Sequence, residues 1–297
     1  MHADEAAIDA ALLRRLLRDQ FPQWAELPLE PVLPMGTDNA LYRLGDELVV
    51  RLPRRERTRI TLEKERRWLP TLAPLLSHAV PIPLADGVPG DGFPFSWFVY
   101  TWLEGETATP ERVRDPDELA TDLADFLGSL QRIDPRRGPA PGTHNFYRGI
   151  PLAQRDAVTR AWIRTLESRI DRDAVTAAWN QALRVPEWHG PRVWIHGDLD
   201  GRNILVQNGR LHAVIDWGGL AVGDPAYDVM VAWKVLPTEA RSTFRAALDI
   251  DDATWARSRG GTLSQALGAL AYYTLETNAV LVRESERWLA AVLTDPV

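Results

Sequence analysis

The sequence contains no cysteine, which excludes disulfides, thiolate metal sites and cysteine nucleophiles. It contains no run of 18 apolar residues, so no membrane-spanning helix is expected. The stretch Met1-His2-Ala3-Asp4-Glu5 is acidic and lacks the basic segment and apolar core of a secretory signal. A cytoplasmic protein is expected on these grounds. Excess positive charge is missing as well: 41 acidic residues outnumber 34 basic ones, for a net charge of -7. Nucleic acids and anionic membranes both call for a basic face, so neither is expected as a partner. A cationic small molecule is compatible with this balance. Internal repeats and low-complexity tracts are absent too.

What is present is an ordinary globular composition, 45% hydrophobic and 25% charged, over 297 residues. That length suits one bilobal unit or two domains. Residues 5–18 carry Ile8, Leu12, Leu13, Leu16 and Leu17 at helical spacing. Pro28, Pro31 and Pro34 then keep the chain extended. Leu41–Leu44 and Glu47–Leu52 flank Gly45-Asp46 and predict a β-hairpin. A helix is predicted over 58–69, ending at Pro70, and a buried strand over 94–103. From about 116 the pattern is helical, interrupted at 192–217. The division that follows is a β-rich lobe at 1–101, a hinge at 102–106 and a mostly helical lobe at 107–297. Twelve tryptophans are assigned to packing.

The chemistry concentrates between 193 and 217. Asn208-Gly209 separates two short apolar runs and predicts a two-residue hairpin turn, since both positions tolerate positive φ. In that register Asn203 faces Val214, two residues before Asp216, an offset of about 7 Å along the strand. An amide oxygen and a carboxylate then share one end of the hairpin, beside the loop carrying Asp198. Mg²⁺ prefers such hard oxygens together with substrate phosphates. Phosphoryl transfer needs a further carboxylate to orient the attacking hydroxyl and accept its proton, a role that suits Asp198. The spacing His196-x-Asp198 followed by four residues and Asn203 matches the catalytic loop of protein kinases. His196 is expected to brace this loop, Asp200 and Arg202 to be exposed, and Asp224 to cap a helix starting near Pro225 or to touch the active site.

His196-Gly197-Asp198-Leu199 with Asn203, then Ile215-Asp216-Trp217 and Gly223-Asp224-Pro225-Ala226-Tyr227-Asp228, resembles the signature of the aminoglycoside phosphotransferase family, related to choline kinases and macrolide phosphotransferases. The resemblance implies an α+β, bilobal protein-kinase-like fold with a small β-rich N-lobe and a larger helical C-lobe. It implies Asp198 as base and Asn203 and Asp216 as Mg²⁺ ligands. It also places Arg51 where kinases use a lysine on the α/β-phosphates, with Glu65 its partner on the next helix. Arg54, Arg55 and Glu63 are the alternatives. Gly36, the one glycine of Met35-Gly36-Thr37-Asp38-Asn39, stands where kinases have a glycine-rich loop. The purine of ATP or GTP would lie against Tyr100-Thr101-Trp102-Leu103, with Thr101 and Leu103 as contacts. The expected acceptor is a cationic, aminoglycoside-like sugar, with Glu276 a candidate ammonium partner. A macrolide, a choline-like amine, another sugar, or a nucleotide-binding scaffold without turnover are the alternatives.

Overall fold

The computed structural model describes residues 6–33 and 38–295. The chain separates into two compact units: one holds the residues up to Gly105 together with Ala213–Gly218, the other Glu106–His212 and Gly219 onward. Each is described by its own elements.

In the first unit, helix α1 spans Ala10–Gln20, and the Asp9 carboxylate caps it by accepting the Leu12 N–H at 2.7 Å. Its apolar stripe, Leu12, Leu13, Leu16 and Leu17, is buried in one core with Ala40, Tyr42, Leu44, Val50, Leu52, Trp97 and Val99. These come from an antiparallel sheet of β1 (Leu29–Pro31), β2 (Asn39–Leu44), β3 (Leu48–Pro53), β4 (Pro83–Gly87) and β5 (Trp97–Thr101), in the order β1-β2-β3-β5-β4. Gly45 makes the β2–β3 turn at φ 61°, a conformation that glycine adopts without strain. Side chains alternate along β3, so Val50 and Leu52 join the α1 core while Arg51 points to the opposite face.

Helix α2 spans Glu56–Leu72 and therefore runs through Pro70, where the sequence predicted its end. Proline there forgoes only the bond to the Arg66 carbonyl. Two residues remain before the helix stops, and the Ala73 N–H closes the last turn onto Leu69. The returning segment is tied into this unit by the Val214 N–H, which donates to the Ala79 carbonyl at 3.0 Å.

The second unit is mainly helical. Its longer helices are α3 (Pro116–Gln131), α4 (Asp156–Thr165), α5 (Arg172–Ala182), α9 (Asp252–Tyr272) and α10 (Leu275–Thr294); α6 (Ala226–Val229), α7 (Val231–Lys234) and α8 (Arg241–Ala247) are short. β7 (Val193–Ile195) pairs with β10 (Ala221–Gly223), and β6 (Glu106–Thr107), β8 (Ile204–Gln207) and β9 (Arg210–Val214) form a second small sheet. Asn208 and Gly209 make the β8–β9 turn at φ 54° and 82°, as the dipeptide predicts. Trp97, Trp179, Trp194, Trp217, Trp233 and Trp288 are fully buried, in keeping with packing roles. Among the described residues no helix is long and apolar enough to cross a membrane.

Candidate active site

In the second unit the loop between β7 and β8 carries Asp198 and is held at several points. The N–H groups of His196 and Gly197 donate to the Asp228 carboxylate at 2.6 and 2.9 Å, and Asp228 is buried. The Asp198 N–H donates to His196 Nδ1 at 3.2 Å, so the buried imidazole braces the loop as expected. Gly197 sits at φ 81°, and a Cβ there would lie 2.2 Å from the Gly219 carbonyl oxygen. Only glycine fits. The Asn203 amide nitrogen donates to the Asp198 carbonyl at 2.8 Å, tying the two ends of the loop together and leaving the amide oxygen for another partner.

The Asp198 carboxylate lies 3.1 Å from the Arg148 guanidinium, with both side chains about four-fifths buried. Burial pushes the Asp198 carboxyl up, but Arg148, Lys234, Arg202 and His196 together hold it below the ordinary aspartate value. It is therefore ionised at neutral pH. Asp200 is not the exposed loop residue that the sequence suggested, whereas Arg202 keeps part of its side chain in solvent. Asp200 is fully buried and forms a bidentate pair with Arg202, which also lies 3.4 Å from Glu284. A buried carboxylate requires such a partner, and Arg202, two residues on, supplies it. Asp224 accepts the Ala226 N–H at 2.9 Å at the start of α6 and pairs with Arg257 at 2.8 Å. Glu276 is exposed in the first turn of α10.

In the first unit Arg51 meets Glu65 at 2.6 Å and Asp216 at 3.6 Å, and its guanidinium lies 5.4 Å from the Tyr100 ring. Glu63 instead pairs with Arg59 on the surface, so Glu65 is the residue of α2 that meets Arg51. Glu65 is fully buried, and burial pushes its carboxyl up to about 7 against the pull of Arg51. Asp216 occupies φ 61°, unusual for a residue with a side chain, and its carboxylate is half exposed. Lys64, beside Glu65, donates to the Gly218 carbonyl at 2.8 Å. Thr101 ends β5 and exchanges hydrogen bonds with the backbone of Ile82, while the Trp102 N–H donates to Glu47. Among the described residues none hydrogen-bonds the backbone of Leu103. Gly36 lies outside the described residues.

The profile of the phosphotransferase enzyme family matches residues 31–260, more than three-quarters of the chain. The chain belongs to the phosphotransferase enzyme family.

As a member of that family it is a small-molecule kinase, and its fold is the α+β kinase-like one. The GDP complex of wild-type aminoglycoside 2'-phosphotransferase-IIIa is similar over 96% of this chain and 99% of its own, at 18% identity and a TM-score of 0.74. The GDP and kanamycin complex of APH(2")-IIIa is similar over 94% and 97%, at 19% identity and 0.70. The macrolide 2'-phosphotransferase MphH from Brachybacterium faecium, an apoenzyme, is similar over 97% and 99%, at 22% identity and 0.65. No curated protein matches the sequence.

Arg148 and Lys234 of this phosphotransferase were not singled out from the sequence, and Asp228, quoted within the family signature, was given no role. Asp228 and Lys234 each stand within an apolar run, Ala226 to Val235, and a charge inside such a run is a signal for a buried partner. Arg148 has no comparable signal, since nothing in its own segment links it to Asp198, 50 residues later. Among the described residues no three His, Cys, Asp or Glu side chains group into a metal site. A Mg²⁺ ion held by one carboxylate, one amide oxygen and phosphates would need no such group. Taken separately, the amide oxygen of Asn203 in the second unit and the half-exposed carboxylate of Asp216 in the first are each hard oxygens of the kind Mg²⁺ takes.

Proposed function

We propose that this phosphotransferase moves the γ-phosphoryl group of ATP or GTP to a hydroxyl of an aminoglycoside-like amino sugar. The observation that carries the reading is the Asp198 loop: a carboxylate kept ionised, on a backbone fixed by Asp228, His196 and Asn203. Such a group can accept a hydrogen bond from the acceptor hydroxyl, aim its lone pair and take its proton. Arg51 would bind the α/β-phosphates, oriented by Glu65. The open backbone of Leu103, two residues after Thr101, suits hydrogen bonds to the purine. Asn203 and Asp216 would hold Mg²⁺, which supplies charge neutralisation at the phosphates.

The aminoglycoside reading is supported by the kanamycin complex among the structural relatives and by the acidic charge of the chain, which suits a polyammonium acceptor. A macrolide acceptor is the second reading, favoured by the likeness to the macrolide enzyme. Phosphorylation of either antibiotic would make this a cytoplasmic resistance enzyme. The deciding experiment is nucleotide consumption by the pure protein across aminoglycosides, macrolides and small alcohols, with Asp198→Asn alongside. Acceptor-dependent turnover of kanamycin-type substrates that falls about 10²- to 10⁴-fold in Asp198→Asn is expected. Turnover confined to macrolides would establish the second reading. Absence of turnover with every acceptor would leave a nucleotide-binding scaffold.

A further inference from the structure

Arg148 is delivered to Asp198 by an unusual backbone. Phe146, Tyr147 and Gly149 have φ of 57°, 56° and 89°, so three of four consecutive residues occupy the left-handed region. Two of them carry aromatic side chains, for which this conformation is strained and persists only where the surroundings impose it. Here they do. The Tyr147 N–H donates to the Gly142 carbonyl at 2.8 Å, and the Arg148 N–H to the Asn145 carbonyl at 3.2 Å. Asn145 is fully buried: its oxygen accepts the Gly142 N–H at 2.9 Å, and its nitrogen donates to the carbonyls of Arg148 at 2.9 Å and Gly219 at 3.3 Å. A Cβ at Gly219 would lie 3.0 Å from Arg148 Nη1, so the missing side chain leaves room for the guanidinium.

Charge alone does not account for this construction, because Arg202 and Lys234 already bring positive charge to the Asp198 carboxylate. What Arg148 adds is a contact of fixed direction to one oxygen, Oδ1, at 3.1 Å. We propose that Arg148 is a positioning residue for phosphoryl transfer: it clamps one oxygen of Asp198 and so aims the other at the acceptor hydroxyl. This rests on the reading of Asp198 as the base. In that step the hydroxyl oxygen bonds to the γ-phosphorus, the bond from the γ-phosphorus to the β–γ bridging oxygen breaks, the nucleoside diphosphate leaves with that electron pair, and the hydroxyl proton passes to Asp198. A base free to rotate would spend less time with its lone pair aligned, and small misplacements cost rate steeply.

The test is a double-mutant cycle of Arg148→Met and Asp198→Asn, with Arg148→Lys as the conservative variant. Single-turnover release of γ-phosphate from ATP and GTP, with and without kanamycin, is measured beside nucleotide affinity, the KM for kanamycin and the melting temperature. Arg148→Met is expected to lose about 10²-fold in rate with nucleotide affinity and KM near wild type. Arg148→Lys, which keeps charge without the fork, should recover part of that loss. In the Asp198→Asn background, Arg148→Met should cost nothing further, because the two residues act as one unit. Should the Met variant fail to fold, the Lys variant carries the same cycle. Equal losses in both backgrounds, or a full rate in the Arg148 variants, would overturn the proposal. A full rate in Asp198→Asn, or a wild type that turns over neither nucleotide with kanamycin or with a macrolide, would instead overturn the reading of Asp198 on which it rests.

Discussion

Arg51 spans two carboxylates of the first unit, Glu65 and Asp216, where a lysine would offer a single ammonium. The fork is what would let an arginine take the proposed role that kinases give to a lysine. Arg51→Ala is expected to raise the KM for nucleotide far more than that for acceptor. It should also destabilise the fold by about 1–3 kcal/mol, because the buried Glu65 carboxyl would lose its hydrogen-bond partner Arg51. Steady-state kinetics and denaturant melts on one preparation separate the two effects; a wild-type nucleotide KM would move the phosphate contact away from Arg51. Asp216→Ala is expected to abolish the Mg²⁺-dependent gain in ADP affinity measured by calorimetry, and an unchanged gain would remove Asp216 from the ligand set. The pairing of Arg51 with Glu65 came from the resemblance to the family, since the strand and the helix after it were readable but their charges alone left Glu63 and Glu65 both open. Arg148 was illegible, because its partner is set by tertiary structure and its turn by contacts of Asn145 that no local pattern announces. The chain has 32 arginines and only two lysines, Lys64 and Lys234, and both lysines are buried.

Helix α2 and the β7–β8 loop show how elements hold these residues. On α2, Glu65 has a folded-state value pushed up to about 7 from 4.5. Between those values the folded chain binds more protons than the unfolded one, so this group's contribution to stability falls as pH rises through the window. The full span corresponds to about 3 kcal/mol. Glu65→Gln should remove that slope from the melting temperature measured between pH 4.5 and 7, and an unchanged slope would assign it to another group. For the β7–β8 loop, which Asp228 of α6 anchors, Asp228→Asn replaces one of the two acceptor oxygens by a donor facing a backbone N–H. A loss of about 1–3 kcal/mol in stability is expected, with a reduced rate, measured by melts and single turnovers. The elements themselves were largely readable: the α1 stripe, the β2–β3 hairpin and the Asn208-Gly209 turn all announce themselves by periodicity or by residues that accept positive φ. The passage of α2 through Pro70 was hidden, because proline near a helix end costs a single hydrogen bond and local pattern weighs it as a stop.

At the scale of the whole molecule, the first unit is discontinuous: Ala213–Gly218, with Asp216 in it, belongs to it across more than a hundred intervening residues. The opening of this segment should therefore follow the first unit. Leu52→Ala, a change in that unit's core expected to cost about 2–5 kcal/mol, should lower the hydrogen-exchange protection of the Val214 amide while leaving α9 unchanged. Equal protection of Val214 in both proteins would detach the segment from that unit. The same discontinuity sets an order for synthesis on the ribosome. Residues up to Gly105 emerge first, but the last piece of their unit ends at Gly218, 113 residues later (218 − 105). At roughly 5–20 residues per second, the nascent β-rich unit waits about 6 to 23 s for the segment that completes it. Through that interval Arg51 and Glu65 have each other but no Asp216, so the birth of the protein passes through a stage in which its proposed phosphate-binding arginine is made and its proposed metal ligand is not.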